Sequence, residues 1–391
     1  MGAKRQHIGL VALGGSGWLG GAAYIRNLAR AIRIADPGAR VTFLCAESRA
    51  KEWSDDGTVV TVAIDRRRGL QRLLPSGLTK LREIVADEQI EFLYPITFDN
   101  RSTLGLELPV RRQLGACQWA GWIPDFQHQH LPELFSQAEL DFRRKNIGAL
   151  VAEAPQLVFS SENARADFRT LYPELAGKGS VLRFATAPDP KWFAPPAAPK
   201  DFEVPARFFL ISNQFWTHKN HLLVFAALRL LAARGVQPII VCTGNLNDPR
   251  DPNYAAKIRE TLASSGLTER VKLLGIIPRE AQIHLMRRAL AVIQPSLFEG
   301  WSTVVEDARL VGRLCLLSDL AVHLEQNPPG ARYFPRHSAE ALAALIAEVW
   351  EKGTPGPDAA AEALARTAAD TALADFGARF LEIARSTLSP S

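Results

Sequence analysis

Short apolar runs alternate along the chain with stretches of helical periodicity, the pattern of βα units on a parallel sheet covered on both faces. In the first half the runs fall at residues 8–13, 41–45, 59–64, 92–96, 118–123, 157–160 and 181–185. Helical patterns at 137–152 and 163–171 separate the last three, and Ser161 stands where it can cap the second of these helices. Residues 186–205 then break the rhythm with Pro188, Pro190, Pro195, Pro196, Pro199 and Pro205, a composition that suits a linker. Strand-like runs resume at 208–212, 238–242, 271–274, 290–293 and 314–317, each followed by a helical stretch. The pattern predicts an α/β chain of two doubly wound, Rossmann-like domains facing a central cleft. The boundaries it suggests are 1–190 for the first domain, 191–206 for a Pro-rich linker and 207–370 for the second domain. Residues 371–391 form a terminal helix, expected to pack back on the first domain; Phe376, Phe380, Ile383 and Leu388 recur there at roughly helical spacing.

Composition narrows this picture without changing it. A chain of 391 residues has room for two cores, and 47% hydrophobic with 22% charged residues is an ordinary globular balance. No apolar run reaches the roughly 18 residues that crossing a bilayer requires. The run at 8–13 is short and gives way to glycines with no small-residue cleavage site, so the expected location is cytoplasmic. Cys45, Cys117, Cys242 and Cys315 are scattered and read as buried free thiols. The net charge of +5 includes clusters at Arg66-Arg67-Arg68, Arg111-Arg112 and Arg143-Arg144-Lys145. They are solvated surface, a peripheral contact with anionic lipid on the inner face of the plasma membrane, or a site for an acidic substrate. Aromatic residues do not interleave with them, which argues against nucleic acid as a partner.

Three segments carry candidate chemistry. After the first strand, residues 14–21 read Gly-Gly-Ser-Gly-Trp-Leu-Gly-Gly, and Gly15 to Gly20 matches a dinucleotide fingerprint, with Glu47 where a ribose-binding acid would sit. The glycine run is longer than a tight fingerprint turn, and Trp18 stands where backbone should close on a pyrophosphate. A loop reaching over a cleft, with bare amides at Gly20 and Gly21 for phosphate, is the favoured reading; a dinucleotide loop and a plain turn are the others. The second segment, residues 212–221, follows the first strand of the second domain and places Lys219 near a helix N-terminus. A cation is poorly placed there unless an anion offsets the helix dipole, as a bound polyphosphate would. The third segment runs from Glu299 to Glu306 after the strand at 290–293, and Ser302 or Thr303 can cap its helix. Free amides around residues 303–305 suit a phosphate, Glu299 can accept hydrogen bonds from sugar hydroxyls, and Glu306 can reach a ribose diol.

These segments resemble retaining glycosyltransferase family 4, a large group of the GT-B fold that uses nucleotide sugars. The resemblance covers most of the chain and rests on Ser296 to Ala308, with similarly ordered pieces at 243–245 and 275–278. It implies that Glu299 holds the donor sugar and Glu306 the ribose, with Lys219 on the diphosphate supported by amides of Gly300, Trp301, Ser302 and Thr303. It also implies that Gly244 and the backbone of Ile276 and Ile277 belong to the donor site, and that Gly20 and Gly21 close on the donor. The segment from Trp122 to Glu133 is similar to the family's His-containing loop, which makes His128 the sugar-facing group with His130 as the alternative, beside Asp125 on the acceptor side. Two departures stand out: six residues rather than seven separate the glutamates, and Asn213 replaces the arginine partner of the lysine.

The implied activity is metal-independent transfer of a hexose, without a cofactor, from a nucleoside diphosphate sugar to a glycan, lipid-linked or other hydroxyl acceptor, in bacterial surface polysaccharide assembly. His128 and His130 lack a third ligand at metal spacing. The competing readings are an NAD(P)-dependent oxidoreductase, resting on Gly15 to Gly20, a sugar-nucleotide epimerase, and a non-catalytic sugar-nucleotide-binding subunit.

Overall fold

The computed structural model describes residues 6–14, 19–62, 78–99, 110, 114–194 and 203–388. Gly15 to Trp18, Arg66 to Arg68, Arg111 and Arg112, and Pro195, Pro196 and Pro199 lie outside them. The chain forms two compact units, one of Met1–His128, Ser136–Ala187 and Thr371–Ser391, the other of Gln129–Phe135 and Pro188–Asp370.

The first unit holds β1 (His7–Val11), β2 (Arg40–Ala46), β3 (Thr58–Val62), β4 (Phe92–Ile96), β5 (Gln118–Ile123), β6 (Gln156–Phe159) and β7 (Ser180–Val181). All pair in parallel, in the order β3-β2-β1-β4-β5-β6-β7. The run predicted at 181–185 contributes only its beginning to the sheet. Leu182 still donates to Phe159 O at 2.9 Å, and the buried residues that follow leave the edge.

The second unit holds β8 (Phe209–Ser212), β9 (Ile240–Thr243), β10 (Val271–Leu273), β11 (Val292–Gln294), β12 (Cys315–Ser318) and β13 (Arg332–Phe334). Their order is β10-β9-β8-β11-β12-β13, again all parallel. The edge strand β13 is absent from the sequence prediction, because a three-residue Arg-Tyr-Phe run has too little apolar length to register. Side chains of one strand alternate between two cores. Phe209 and Ile211 enter one, whereas Phe208 and Leu210 enter the other. Burial on both faces explains why these strands read as continuous apolar runs.

The stretch predicted as linker begins with a fastened turn. Trp192 and Phe193 pack on the second core, and Arg287 donates to Trp192 O at 2.8 Å while pairing with Glu362 at 2.6 Å. The terminal helix begins earlier than the expected residue 371: it runs Ala359–Leu388 and ends in the first unit. Phe376 meets Tyr24 and Phe380 meets Tyr94, with ring centroids 5.9 and 5.2 Å apart. Gly377 is needed for this approach, since a Cβ there would lie 2.0 Å from Ala31 O. All four cysteines are buried free thiols, and among the described residues no helix is long and apolar enough to cross a membrane.

Candidate functional site

In the second sheet the chain reverses its winding between β8 and β11, and open α/β sheets bind ligands outside the carboxyl ends of the strands at such a switch point. The loops after β8 and β11 contain the second and third candidate segments. They are joined by several bonds. Thr217–Lys219 form a single 3₁₀ turn whose first amide donates to Asp248 Oδ2 at 2.8 Å. Asn220 then adopts φ 57°, a left-handed conformation that asparagine tolerates, and its side-chain amide donates to Pro295 O and Arg336 O at 3.1 Å each. The Leu297 amide donates to His218 O at 2.8 Å.

This framework sets Lys219 Nζ 2.6 Å from Glu299 Oε1 in an ion pair whose side chains are only 13% and 8% exposed. The same carboxylate oxygen accepts from Ser296 Oγ at 2.7 Å and from Gln294 Nε2 at 2.9 Å. Burial alone would raise the Glu299 pKa, but Lys219, His323 and the Ser296 hydroxyl hold it at about 2. The anion that offsets the unfavourable place of Lys219 near a helix start is therefore Glu299 itself.

Seven positions on, the second glutamate lies one turn inside the helix Thr303–Leu310. Of the two possible caps the structure uses Ser302, whose Oγ accepts from the Val305 amide at 3.4 Å. Gln326 reaches in from the helix Ala321–Gln326. Its Oε1 accepts from the Ser302 amide at 3.2 Å, and its Nε2 donates to Ser302 O at 2.9 Å and to Glu306 Oε1 at 2.8 Å. Arg309 pairs with Glu306 Oε2 at 3.2 Å and also donates to Gln326 O. Burial raises the Glu306 pKa despite Arg309 and Gln326. Asp307, the next residue, is held from outside by Arg279 at 2.5 Å.

The remaining predicted residues divide between the units. Asn213 is buried and exchanges two side-chain hydrogen bonds with Gln294, at 2.8 and 3.2 Å. Gly244, with φ 130°, lies against Asn213, where a Cβ would approach Asn213 O to 2.0 Å, and its amide donates to Gly275 O at 2.8 Å. Beyond it, Ile276 is 67% exposed and Ile277 packs on the second core. Gly300, Trp301 and Thr303 are half-buried around the start of the helix, and the Trp301 indole nitrogen is buried with no partner among the described residues. His130 belongs to the second unit, its ring 5.2 Å from that of Phe298 beside Glu299. In the first unit Gly20 and Gly21 form the first turn of the helix Leu19–Ala35. There too, His128 is buried next to Phe126, and Asp125 Oδ1 accepts from the Gln127 amide at 2.9 Å.

Sequence reasoning missed Gln294, Ser296 and Gln326 as parts of this site. Ser296 opens the recognised motif and so carried a signal. Gln326 lies 20 residues from its partner Glu306, with nothing in its neighbourhood to mark it. The buried His218 and His221 are neutral, their pKa values lowered to about 3 by burial and by Lys219. Among the described residues no group of three or more His, Cys, Asp or Glu side chains is arranged to hold a metal ion.

Residues 198–368 match the family model described as glycosyl transferases group 1, a stretch that lies wholly in the second unit. A search of curated proteins returns no significant match. Among solved structures, HepE of Anabaena in complex with UDP and glucose is 16% identical with TM-score 0.72, covering 98% of this chain and 100% of its own. Sucrose-phosphate synthase of Thermosynechococcus elongatus is 18% identical with TM-score 0.65, covering 98% and 95%. The apo lipopolysaccharide outer core galactosyltransferase WaaB is 14% identical with TM-score 0.63, covering 97% and 99%. The chain thus has the two-sheet GT-B fold of these structures, and its second unit is similar in sequence to glycosyl transferases group 1.

Proposed function

We propose that the protein is a retaining glycosyltransferase of family 4 type that moves a hexose from a nucleoside diphosphate sugar to a hydroxyl acceptor. The observation that carries this reading is the buried Lys219–Glu299 pair at the sheet's switch point, beside a helix start that presents amides. Leaving of the diphosphate puts negative charge on its oxygens. Lys219 and the first amides of Thr303–Leu310 would stabilise that charge electrostatically, without a metal ion. The bond from the anomeric carbon to the diphosphate oxygen breaks, and the acceptor oxygen bonds to the same face of that carbon. The acceptor's proton passes to the departing diphosphate oxygen. Glu299 positions the sugar through its hydroxyls, Glu306 accepts from the ribose diol, and Ile276 and Ile277 lie beside the base.

In this reading His128 is the sugar-facing group, with His130 as the alternative, Asp125 belongs to the acceptor side, and Gly20 and Gly21 bind the donor. A glycan or lipid-linked acceptor in bacterial surface polysaccharide assembly is supported by the likeness to WaaB. The exposed Arg144 and Lys145, with Arg143, offer a cytoplasmic enzyme a peripheral contact with anionic membrane. The test is incubation with UDP-, GDP-, ADP- and dTDP-sugars, with and without extracts of surface-glycan acceptors. Release of nucleoside diphosphate that depends on acceptor is expected. Binding without release under every acceptor condition would instead favour a sugar-nucleotide-binding subunit, and nicotinamide binding an oxidoreductase.

A further inference from the structure

Glu299 is bound in a lopsided way. Its Oε1 accepts from Lys219 at 2.6 Å, Ser296 at 2.7 Å and Gln294 at 2.9 Å, whereas no described residue donates to Oε2. One oxygen is anchored and the other is left to accept from elsewhere. Of the three donors, Lys219 is a flexible cation and Ser296 a freely turning hydroxyl. Gln294 is different: it is fully buried at the end of β11 and held from both sides.

Asn213 braces Gln294 on one side, and the acceptors Glu299 and Ser302 set its orientation on the other. The Asn213 amide donates to Gln294 Oε1 at 2.8 Å, and Gln294 Nε2 points toward Glu299 and, at 3.1 Å, toward Ser302 Oγ. The reverse orientation would put a carbonyl oxygen against a carboxylate and is electrostatically excluded. The Ser302 cap does not depend on this bond, since its Oγ also accepts from the Val305 amide and its backbone is tied to Gln326. The Asn213–Gln294 pair is neutral, so Glu299 keeps a single cationic partner.

We propose that Gln294, braced by Asn213, is a positioning residue that pins Glu299 Oε1 so that Oε2 is presented to the hydroxyls of the donor sugar. The proposal rests on the donor-site reading and adds a residue that acts through Glu299 on the sugar, not on the diphosphate. Removing it should therefore separate recognition of the two halves of a donor.

The experiment is calorimetric titration of wild type and Gln294→Met with UDP, GDP, ADP and dTDP, each as the bare diphosphate and as its glucose conjugate. For the nucleotide that wild type binds, Gln294→Met should keep the affinity for the bare diphosphate within about twofold. Its affinity for the sugar conjugate should fall about tenfold, as expected on loss of a charge-assisted hydrogen bond. A merely structural role would weaken both ligands together, and that result overturns the proposal, as does an unchanged ratio. Should Gln294→Met fail to fold, Gln294→Leu removes the same donor with a different side-chain shape, and the same split is expected. An unchanged ratio there likewise overturns the proposal. If wild type binds none of the eight compounds, the donor-site reading fails and takes the proposal with it.

Discussion

The two glutamates of the Glu299–Glu306 segment have the same side chain, the same burial class and one short stretch of chain between them, yet the fold treats them oppositely. Glu299 meets a buried ammonium and two neutral donors on one oxygen, and its pKa falls to about 2. Glu306 meets one amide and a more exposed guanidinium, and burial raises its pKa. Equal desolvation thus leads to opposite outcomes because compensation differs: a close, buried cation outweighs the penalty, and a looser one 28% exposed does not. The first carboxylate is built to stay charged and fixed. The second retains the option of a proton and of new hydroxyl partners.

The largest break in this contrast should come from Lys219→Met, which leaves Glu299 buried without its cation. A loss of about 3–5 kcal/mol in urea unfolding at pH 7 is expected; a loss under about 1 kcal/mol would show that the pair is solvated in solution. The pH dependence carries a sign. Because the folded pKa of Glu299 is depressed, its contribution is full above the ordinary value of 4.5 and is lost as pH falls through about 2. The stability gap between wild type and Lys219→Met should accordingly narrow between those limits.

Glu299→Gln comes next. It leaves Lys219 without its counter-ion, so bare nucleoside diphosphate should bind about tenfold tighter, while turnover drops about 10²-fold because the sugar loses its carboxylate. Calorimetry beside a transfer assay reads both, and weaker diphosphate binding would contradict the assignment of Lys219. Gln326→Leu strips Ser302 and Glu306 of buried partners and should cost about 1–3 kcal/mol in chemical denaturation. Its neighbour Glu299 should be unaffected, which a retained low-pH stability profile would confirm.

Glu306→Gln should have the smallest effect, and the pH dependence of Glu306 should run opposite to that of Glu299. The fold favours the protonated form of Glu306, so its contribution is full below 4.5 and is lost as pH rises through its raised pKa. A neutral amide at 306 should leave stability at pH 7 unchanged or raise it by up to about 1 kcal/mol, as followed by Tm. A large loss would mean that the Arg309 pair is stronger than its exposure implies.

How far the sequence foretold this depends on range. The continuous apolar runs that became β8, β9, β11 and β12 are visible because burial on both faces leaves an unbroken signature. Lys219, Ser302, Glu299 and Glu306 are visible because a strand end followed by a capped helix is local chemistry. What holds them was not legible. Asn213 and Gln294 are 81 residues apart, and only the adjacency of β8 and β11 brings their amides together. Asn213 read as a missing arginine; in the structure it is half of a neutral pair. Gln326 likewise comes from a short helix whose sequence carries no sign of its partners.

The central claim is that the start of the helix Thr303–Leu310, with Lys219 and Glu299, receives a nucleoside diphosphate sugar. A thermal-shift titration of wild type and Lys219→Met with UDP-, GDP-, ADP- and dTDP-glucose tests it most directly, since a ligand at about 100 times its Kd stabilises the native state by about 2.7 kcal/mol. At least one donor should raise the Tm of wild type, and none should raise that of Lys219→Met. No shift with any donor, or equal shifts in both proteins, would contradict the account.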